Sequence, residues 1–458
     1  MSGPSDASYK KALGARILSE ANDLKRTPEA LALELNLSQG VVKDVIAGEA
    51  TIKTTRRVIE AMAESYPIAF SDLWMEPDDT DDGVVIMRAE ASSSTSRVFD
   101  RKDRDGAAAP YYEYRDTAMS RTGPFKPEWI KELRVVDNAD PRNPDVVYNN
   151  GHLLHQQTFI IGEVNFYWLL DGEPQCAELN TGDSNYITPF VPHSFTSRNP
   201  DTPGLIVAVT FGGQVRRALA EFARIDGATA DSLSGDLRSH QSGYRARLVR
   251  HLANESMTAT ELTRRLVALD VAEDRATELA GGAIAVADEL PLVASSLNIR
   301  LADLLVSILK PGEEVVVQRA RDSVARPWPE SNAVDCRVTE LARTKHQPSL
   351  KGFMVEVLGN QGSNAPFQHS LFEYVYNYGD EPVSIGWADG REDHLKPGDS
   401  ACISPMIAHW FVRPEGAGEG RLCVVRVPGA LGETAIDEYA AFASEGRRRV
   451  IGETKQWF

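Results

Sequence analysis

The sequence predicts an α+β chain in which a helical, helix-turn-helix-like block followed by a β-rich module occurs twice. Three observations carry this. "TGDSNYITPFVPHSF" (181–195) and "PGDSACISPMIAHWF" (397–411) both read Gly-Asp-Ser, a Pro seven residues after the Gly, a His four beyond it and a Phe two further on. "GHLLHQQTFIIGE" (151–163) and "QHSLFEYVYNYGD" (368–380) repeat at nearly the same offset, with His152 and His369 each followed ten residues later by Gly. A segment with helical apolar spacing precedes each pair, and self-similarity over such distances marks duplicated structural units. The 458 residues accommodate this, since domains run to roughly 100–200 residues each.

Residues 1–85 form the first helical block. "TPEALALELNLSQGVVKDVIAGEATIKTTRRVIEAMAESYPIAFSDLW" (27–74) opens on Thr-Pro, keeps helical apolar spacing and carries short Gly-containing turns between helices, the pattern of a helix-turn-helix. Residues 86–225 form the first β module, where "FIIGEVNFYWLL" clusters β-branched and aromatic residues, and a sandwich or jelly roll is the natural packing for such short strands. Residues 226–312 repeat the helical block in "TATELTRRLVALDVAEDRATELAGG" (258–282) and "VADELPLVASSLNIRLADLLVSI" (286–308), and 313–458 repeat the β module.

Composition narrows the function. The net charge of −17 opposes nucleic-acid binding, which draws its affinity from neutralising phosphates. The candidate recognition helix, "SQGVVKDVIAG" (38–48), offers one Lys and one Gln beside an Asp, a poor set for phosphates or base edges. A transcription regulator that binds a small ligand is therefore the lesser reading, and packing or oligomerisation the greater one for the helical blocks. No apolar run approaches the roughly 20 residues of a membrane span, and the N-terminal stretch lacks the pattern of a secretory signal, so a cytoplasmic protein is expected. The four cysteines, Cys176, Cys336, Cys402 and Cys423, form no Cys-x-x-Cys and read as buried thiols.

The spacing His-x3-(Glu/Gln)-x5-Gly followed by Gly-x6-Pro-x3-His resembles the two motifs of the cupin superfamily, so each β module is expected to be a cupin β-barrel. If 152–158 is one strand, His152, Gln156 and Thr158 share a face while His155 and Gln157 point away. His152, Gln156 and His193 then form a metal triad with open positions, with a neutral amide where oxygen-activating iron sites usually have a carboxylate. An amide binds more weakly and leaves the complex more positive, which favours an anionic chelating substrate. His369, Glu373 and His409 stand at matching positions in the second module and are either a second metal site or hydrogen-bonded groups.

Over nearly the whole chain these residues resemble the non-haem iron hydroxyethylphosphonate dioxygenase / methylphosphonate synthase family, built as tandem helix-turn-helix plus cupin modules. "NNGH", "TGDS" and "PHS" are the sharpest part of the likeness. The resemblance implies Fe(II) on His152, Gln156 and His193, with Ile187 standing where the dioxygenase pattern has its carboxylate ligand. It implies O2-dependent cleavage of 2-hydroxyethylphosphonate to methylphosphonate and CO2, without 2-oxoglutarate; hydroxymethylphosphonate and formate are the alternative products. Arg104, Tyr114 (or Tyr112) and Asn149 are the implied phosphonate contacts. Lys25 is the implied catalytic lysine, reaching the site of a neighbouring subunit, so a homo-oligomer is expected. An Arg fork and a Lys point charge suit a phosphonate dianion.

Overall fold

Helix caps and sheet registers build the duplicated chain from its local signals. The computed structural model describes residues 6–310, 312–330, 334–360, 365–388 and 390–458. The first helical block comprises Asp6–Asp23, Pro28–Glu34, Gln39–Ile46, Ile52–Ser65 and Phe70–Leu73. Thr27, Ser38 and Thr51 cap three of these helices, each side-chain oxygen accepting a backbone N–H three residues on, which contributes about 1 kcal/mol per cap. Leu13, Ile17, Leu31, Val42, Val45, Val58 and Ile59 meet at the centre of the block. Lys43, the one cation of the candidate recognition helix, is paired with Glu29 at 2.9 Å. The second block, His240–Asn254, Ala259–Val267, Glu273–Ala280, Leu290–Ser296 and Leu301–Leu304, has its own core around Leu248, Leu262, Leu266 and Leu279. Among the described residues no helix is long and apolar enough to cross a membrane.

Each β module is a sandwich of a seven-stranded and a three-stranded antiparallel sheet. The ladders leave both sheets open, so the expected closed barrel is here a pair of facing sheets. In the first module the large sheet includes Ser184–Ile187, His155–Ile161, Leu205–Phe211 and Phe125–Glu132 in adjacent positions, and Val164–Leu170 and His193–Ser197 pair in the small sheet. The second module repeats this order with Ser400–Ile403, Phe372–Asn377, Gly420–Val427 and Lys351–Val357 in the large sheet.

The modules exchange strands. Val84–Met87, which follows the first helical block, pairs with Ser400–Ile403 in the second module, and Val315–Gln318, which follows the second block, pairs with Ser184–Ile187 in the first. These exchanges cross the boundaries expected at 85/86 and 312/313. They also explain the repeated Gly-Asp-Ser. Asp183 accepts the Ala320 N–H and Asp399 the Ala89 N–H, at 2.9 and 2.8 Å. The hydroxyls of Ser184 and Ser400 accept the N–H groups of Ala342 and Ala118 from the opposite module, at 2.9 and 2.8 Å. The outer faces of the large sheets pack together through Phe159, Tyr186, Val209 and Phe211 against Tyr374, Tyr376, Cys423 and Val425. Three of the four free cysteines are buried and Cys176 is half-buried; burial pushes the Cys402 thiol up to about 12.

His155 belongs to this inter-module layer. Its ring stacks on Phe211 and Tyr186, and Nδ1 lies 2.8 Å from the Tyr186 hydroxyl. Burial lowers its pKa from 6.5 to about 4. The unfolded chain takes up this proton below pH 6.5 while the folded chain refuses it until about pH 4, so the stabilisation present above pH 6.5 is lost as pH falls through that window. His155→Gln is expected to lose less stability than the unsubstituted protein between pH 7 and pH 5, measured by urea unfolding at both values.

Candidate active site

The interior of the first sandwich keeps a cavity of about 200 Å³ lined by Arg101, Tyr112, Tyr114, Glu128, Asn149, His152, Gln156, His193 and Thr210, among others. Three separate elements deliver its nitrogen and oxygen donors. The expected strand over 152–158 begins three residues later, as His155–Ile161, because the chain turns at Gly151. That glycine has φ +69°, and a Cβ there would lie 2.5–2.7 Å from the Phe190 backbone. Its absence lets the loop carrying His152 press against the loop before His193, where the Phe190 N–H donates to the His152 carbonyl at 2.9 Å and the Asn149 N–H to the His193 carbonyl at 3.0 Å. His152 therefore enters from the loop, Gln156 from the large sheet and His193 from the small one. Gln156 faces the cavity, whereas His155 and Gln157 point into the inter-module layer, as the two-residue alternation requires.

Hydrogen bonds orient all three donors. Nδ1 of His152 lies 3.0 Å from the Leu154 carbonyl and Nδ1 of His193 lies 2.8 Å from the Val191 carbonyl. A carbonyl can only accept, so both Nδ1 atoms carry a proton and it is Nε2 of each ring that is left for a ligand. The Gln156 amide donates to Thr158 Oγ1 at 2.9 Å, which turns its Oε1 toward His152 Nε2 at 3.2 Å. The two rings stand edge to face with centroids 5.2 Å apart. Burial lowers the His193 pKa to about 4 and keeps that ring neutral at physiological pH. Nε2 of His152 and Oε1 of Gln156 thus converge, with His193 on the wall of the same cavity. A metal cation satisfies such a set, and two imidazoles with one amide oxygen suit a divalent transition ion.

Asn149 ties the two loops together: its Oδ1 accepts the N–H groups of Gly151 and His193, both at 2.9 Å, and its Nδ2 lies 3.1 Å from His193 Nε2. Ile187 is fully buried and pairs directly with Gln156, with Val315 of the exchanged strand on its other side. The structure thus places an apolar wall, partly supplied by the second half of the chain, beside the amide donor. Tyr114 and Tyr112 both line the cavity. The Tyr112 hydroxyl is committed to Ser194 at 3.2 Å and to the Phe195 N–H at 2.9 Å, while the Tyr114 hydroxyl has no hydrogen-bond partner among the described residues. Burial holds the Tyr114 phenol above its ordinary value.

Two expected contacts lie elsewhere. Arg104 sits in the Asp103–Gly106 turn, paired with Asp145 at the surface, and does not line the cavity. Arg101, the last-but-one residue of the strand Arg97–Lys102, does so instead, its guanidinium 4.8 and 4.9 Å from the ring centroids of Tyr111 and Tyr112. The signal was present in "RKDRDG": Asp-Gly marks a hairpin turn, which puts Arg104 at the tip and Arg101 on the strand. Lys25 is exposed at φ 58° on the connection after the first helix. Its Nζ meets the carbonyls of Asn22 and Asp23 and the ring of Trp457, outside its own chain's cavity. Glu128, a cavity residue missed from sequence, has its pKa raised by burial and lies 3.6 Å from the Arg97 guanidinium.

Two histidines with an amide, opening on a cavity that holds an arginine, define a metal-dependent enzyme for a small anionic substrate. No family model matches the chain. It is 34% identical over 461 residues to the methylphosphonate synthase of Nitrosopumilus maritimus (strain SCM1), covering 98% of this chain and 96% of that one. The solved Streptomyces albus HEPD, a 2-hydroxyethylphosphonate dioxygenase with 2-hydroxyethylphosphonate and Fe(II) bound, superposes with a TM-score of 0.87 at 34% identity, covering 99% of this chain and all of that one. The (S)-2-hydroxypropylphosphonic acid epoxidase of Streptomyces wedmorensis is 28% identical over 196 residues, 42% of this chain and 85% of its own. The chain belongs to the methylphosphonate synthase family of non-haem iron oxygenases.

Proposed function

We propose that this chain uses Fe(II) and O2 to convert 2-hydroxyethylphosphonate to methylphosphonate and CO2, the atoms balancing with one molecule of water. The observation that carries this reading is the neutral donor set: Gln156 Oε1 beside His152 Nε2, with Ile187 opposite Gln156 where a carboxylate would complete a different ligand set. The two sandwiches are read as duplicated cupin modules, of which the first carries the reaction. His152, Gln156 and His193 would hold the iron. When bound, Fe(II) supplies one-electron chemistry toward O2 and a Lewis-acidic anchor for the substrate hydroxyl and phosphonate.

The protein's own groups do the rest. The neutral amide leaves the centre more positive than a carboxylate would, which favours a chelating dianion. Asn149 Nδ2 donates to a phosphonate oxygen, Arg101 offers its guanidinium and Tyr114 its uncommitted hydroxyl. Lys25, which does not line its own chain's cavity, is read through the family resemblance as serving the cavity of a neighbouring subunit. Hydroxymethylphosphonate and formate are the second reading, since the relative solved with 2-hydroxyethylphosphonate is a dioxygenase of equal identity. An oxygen electrode tests the first step. Fe(II)-loaded protein is expected to consume O2 when given 2-hydroxyethylphosphonate alone, without 2-oxoglutarate; no uptake would contradict the proposal.

The two arginines separate by their effect on substrate. Arg101→Ala is expected to raise KM roughly 10- to 150-fold, the equivalent of a charge-assisted hydrogen bond of about 1.5–3 kcal/mol. Arg104→Ala is expected to leave KM within about twofold, as for a surface ion pair. Steady-state kinetics on both variants checks this.

A further inference from the structure

The duplication places His369, Glu373 and His409 in the second sandwich where the first has His152, Gln156 and His193, and one ligand atom from each lies within 4.8 Å of the others. The orienting bonds are duplicated too. Nδ1 of His369 lies 3.1 Å from the Leu371 carbonyl and Nδ1 of His409 lies 2.9 Å from the Ile407 carbonyl. The Nε2 atoms point at Glu373, each 3.0 Å from a different carboxylate oxygen. Each imidazole therefore faces an acceptor on both sides, and the carboxylate between them is fully buried.

We propose that His369, Glu373 and His409 form a second site for a divalent transition-metal ion, structural in role and separate from the reacting centre. Two imidazoles and a carboxylate suit Fe(II), Mn(II), Co(II) or Zn(II). Arg426 pairs with Glu373 across the ladder at the position Thr210 holds beside Gln156, and its Nε–H donates to Glu373 Oε2 at 2.5 Å. Such a donor orients a ligating carboxylate from outside.

Arg426 also decides the role. Its guanidinium lies 5.2 and 5.4 Å from the rings of Phe353 and Phe367, and Phe367 stacks in turn on Trp328 and His409. The side that stays open beside Thr210 in the first sandwich is covered here by a cation and aromatic rings. Glu373 belongs to the large sheet and His409 to the small one, so an ion on this triad clips the two sheets of the second sandwich together.

The test uses the full-length protein, stripped of metal and titrated anaerobically with Co(II), with bound metal counted by mass spectrometry after desalting. The expected result is close to two equivalents bound by the unsubstituted protein. The His152→Ala/His193→Ala double variant is expected to keep one equivalent, with its melting temperature raised by Co(II), and His369→Ala/His409→Ala is expected to keep one at the first site. Saturation at one equivalent, with none held by the His152→Ala/His193→Ala variant, would overturn the proposal and assign the second triad to protons and Arg426 alone. That variant decides the matter even if substitution of the second triad prevents folding, and the outcome is independent of the reaction proposed for the first site.

Discussion

Gln156→Ala is expected to abolish turnover, whereas His155→Ala, one residue away, is expected to keep most of it. Gln156 is proposed as one of three protein donors to the metal, and its Oε1 is aimed at His152 Nε2 by the bond from its amide to Thr158. Loss of groups that merely orient metal ligands already costs roughly 10–100-fold in affinity or activity, so removal of the donor itself should cost at least about 100-fold. His155 stands on the opposite face of the same strand, stacked on Phe211 and hydrogen-bonded to Tyr186. Its truncation should destabilise the layer between the modules by about 1–3 kcal/mol and leave the donor set intact. Anaerobic Fe(II) titration and O2 uptake on both variants, with the folded fraction measured alongside, separate the two effects; equal losses of activity per folded molecule would contradict the assignment.

Ile187→Glu carries the second large effect. The side chain is fully buried, directly opposite Gln156 and against Val315. A carboxylate placed in this wall without a partner should destabilise the metal-free protein by about 3–5 kcal/mol. With Fe(II) present it gains a partner and becomes a competing anionic donor beside the amide. The expected result is a melting temperature that metal raises far more in the variant than in the unsubstituted protein, together with a shift of product from methylphosphonate toward hydroxymethylphosphonate. A variant whose stability ignores metal would show that position 187 lies out of reach of the centre.

Of the two residues, Gln156 is singled out by periodicity and motif spacing, and Ile187 by the family resemblance alone. The repeat and the helical blocks are legible because they rest on local signals, caps and apolar spacing, and motif spacing picks out His152, Gln156 and His193, which line one cavity. The alternation even separates Gln156 from its neighbours His155 and Gln157, although His152 itself sits on a loop that turns at Gly151 and not on the strand.

What was not legible depends on pairing between distant segments. Nothing local in "VVIM" or "VVVQ" announces that Val84–Met87 and Val315–Gln318 cross into each other's module, since any short apolar strand completes a sheet edge equally well. The Gly-Asp-Ser motifs mark the repeat in sequence, but their role is not legible there: Asp183, Ser184, Asp399 and Ser400 accept hydrogen bonds from the opposite module and the exchanged segments. Arg101 and Arg104 differ by their place relative to a hairpin turn, and the family resemblance points to the exposed one. The cover over the second triad is hidden for the same reason: Arg426 meets Glu373 across paired strands, 53 residues apart in sequence.

A neutral amide among the proposed iron donors, walled by Ile187, is expected to direct one substrate to one product. Phosphorus NMR tests it most directly, on anaerobically Fe(II)-loaded protein given 2-hydroxyethylphosphonate and then O2. A new signal that coincides with added methylphosphonate is the predicted result. Hydroxymethylphosphonate as the sole new signal, or no new signal from protein shown to hold iron, would contradict it.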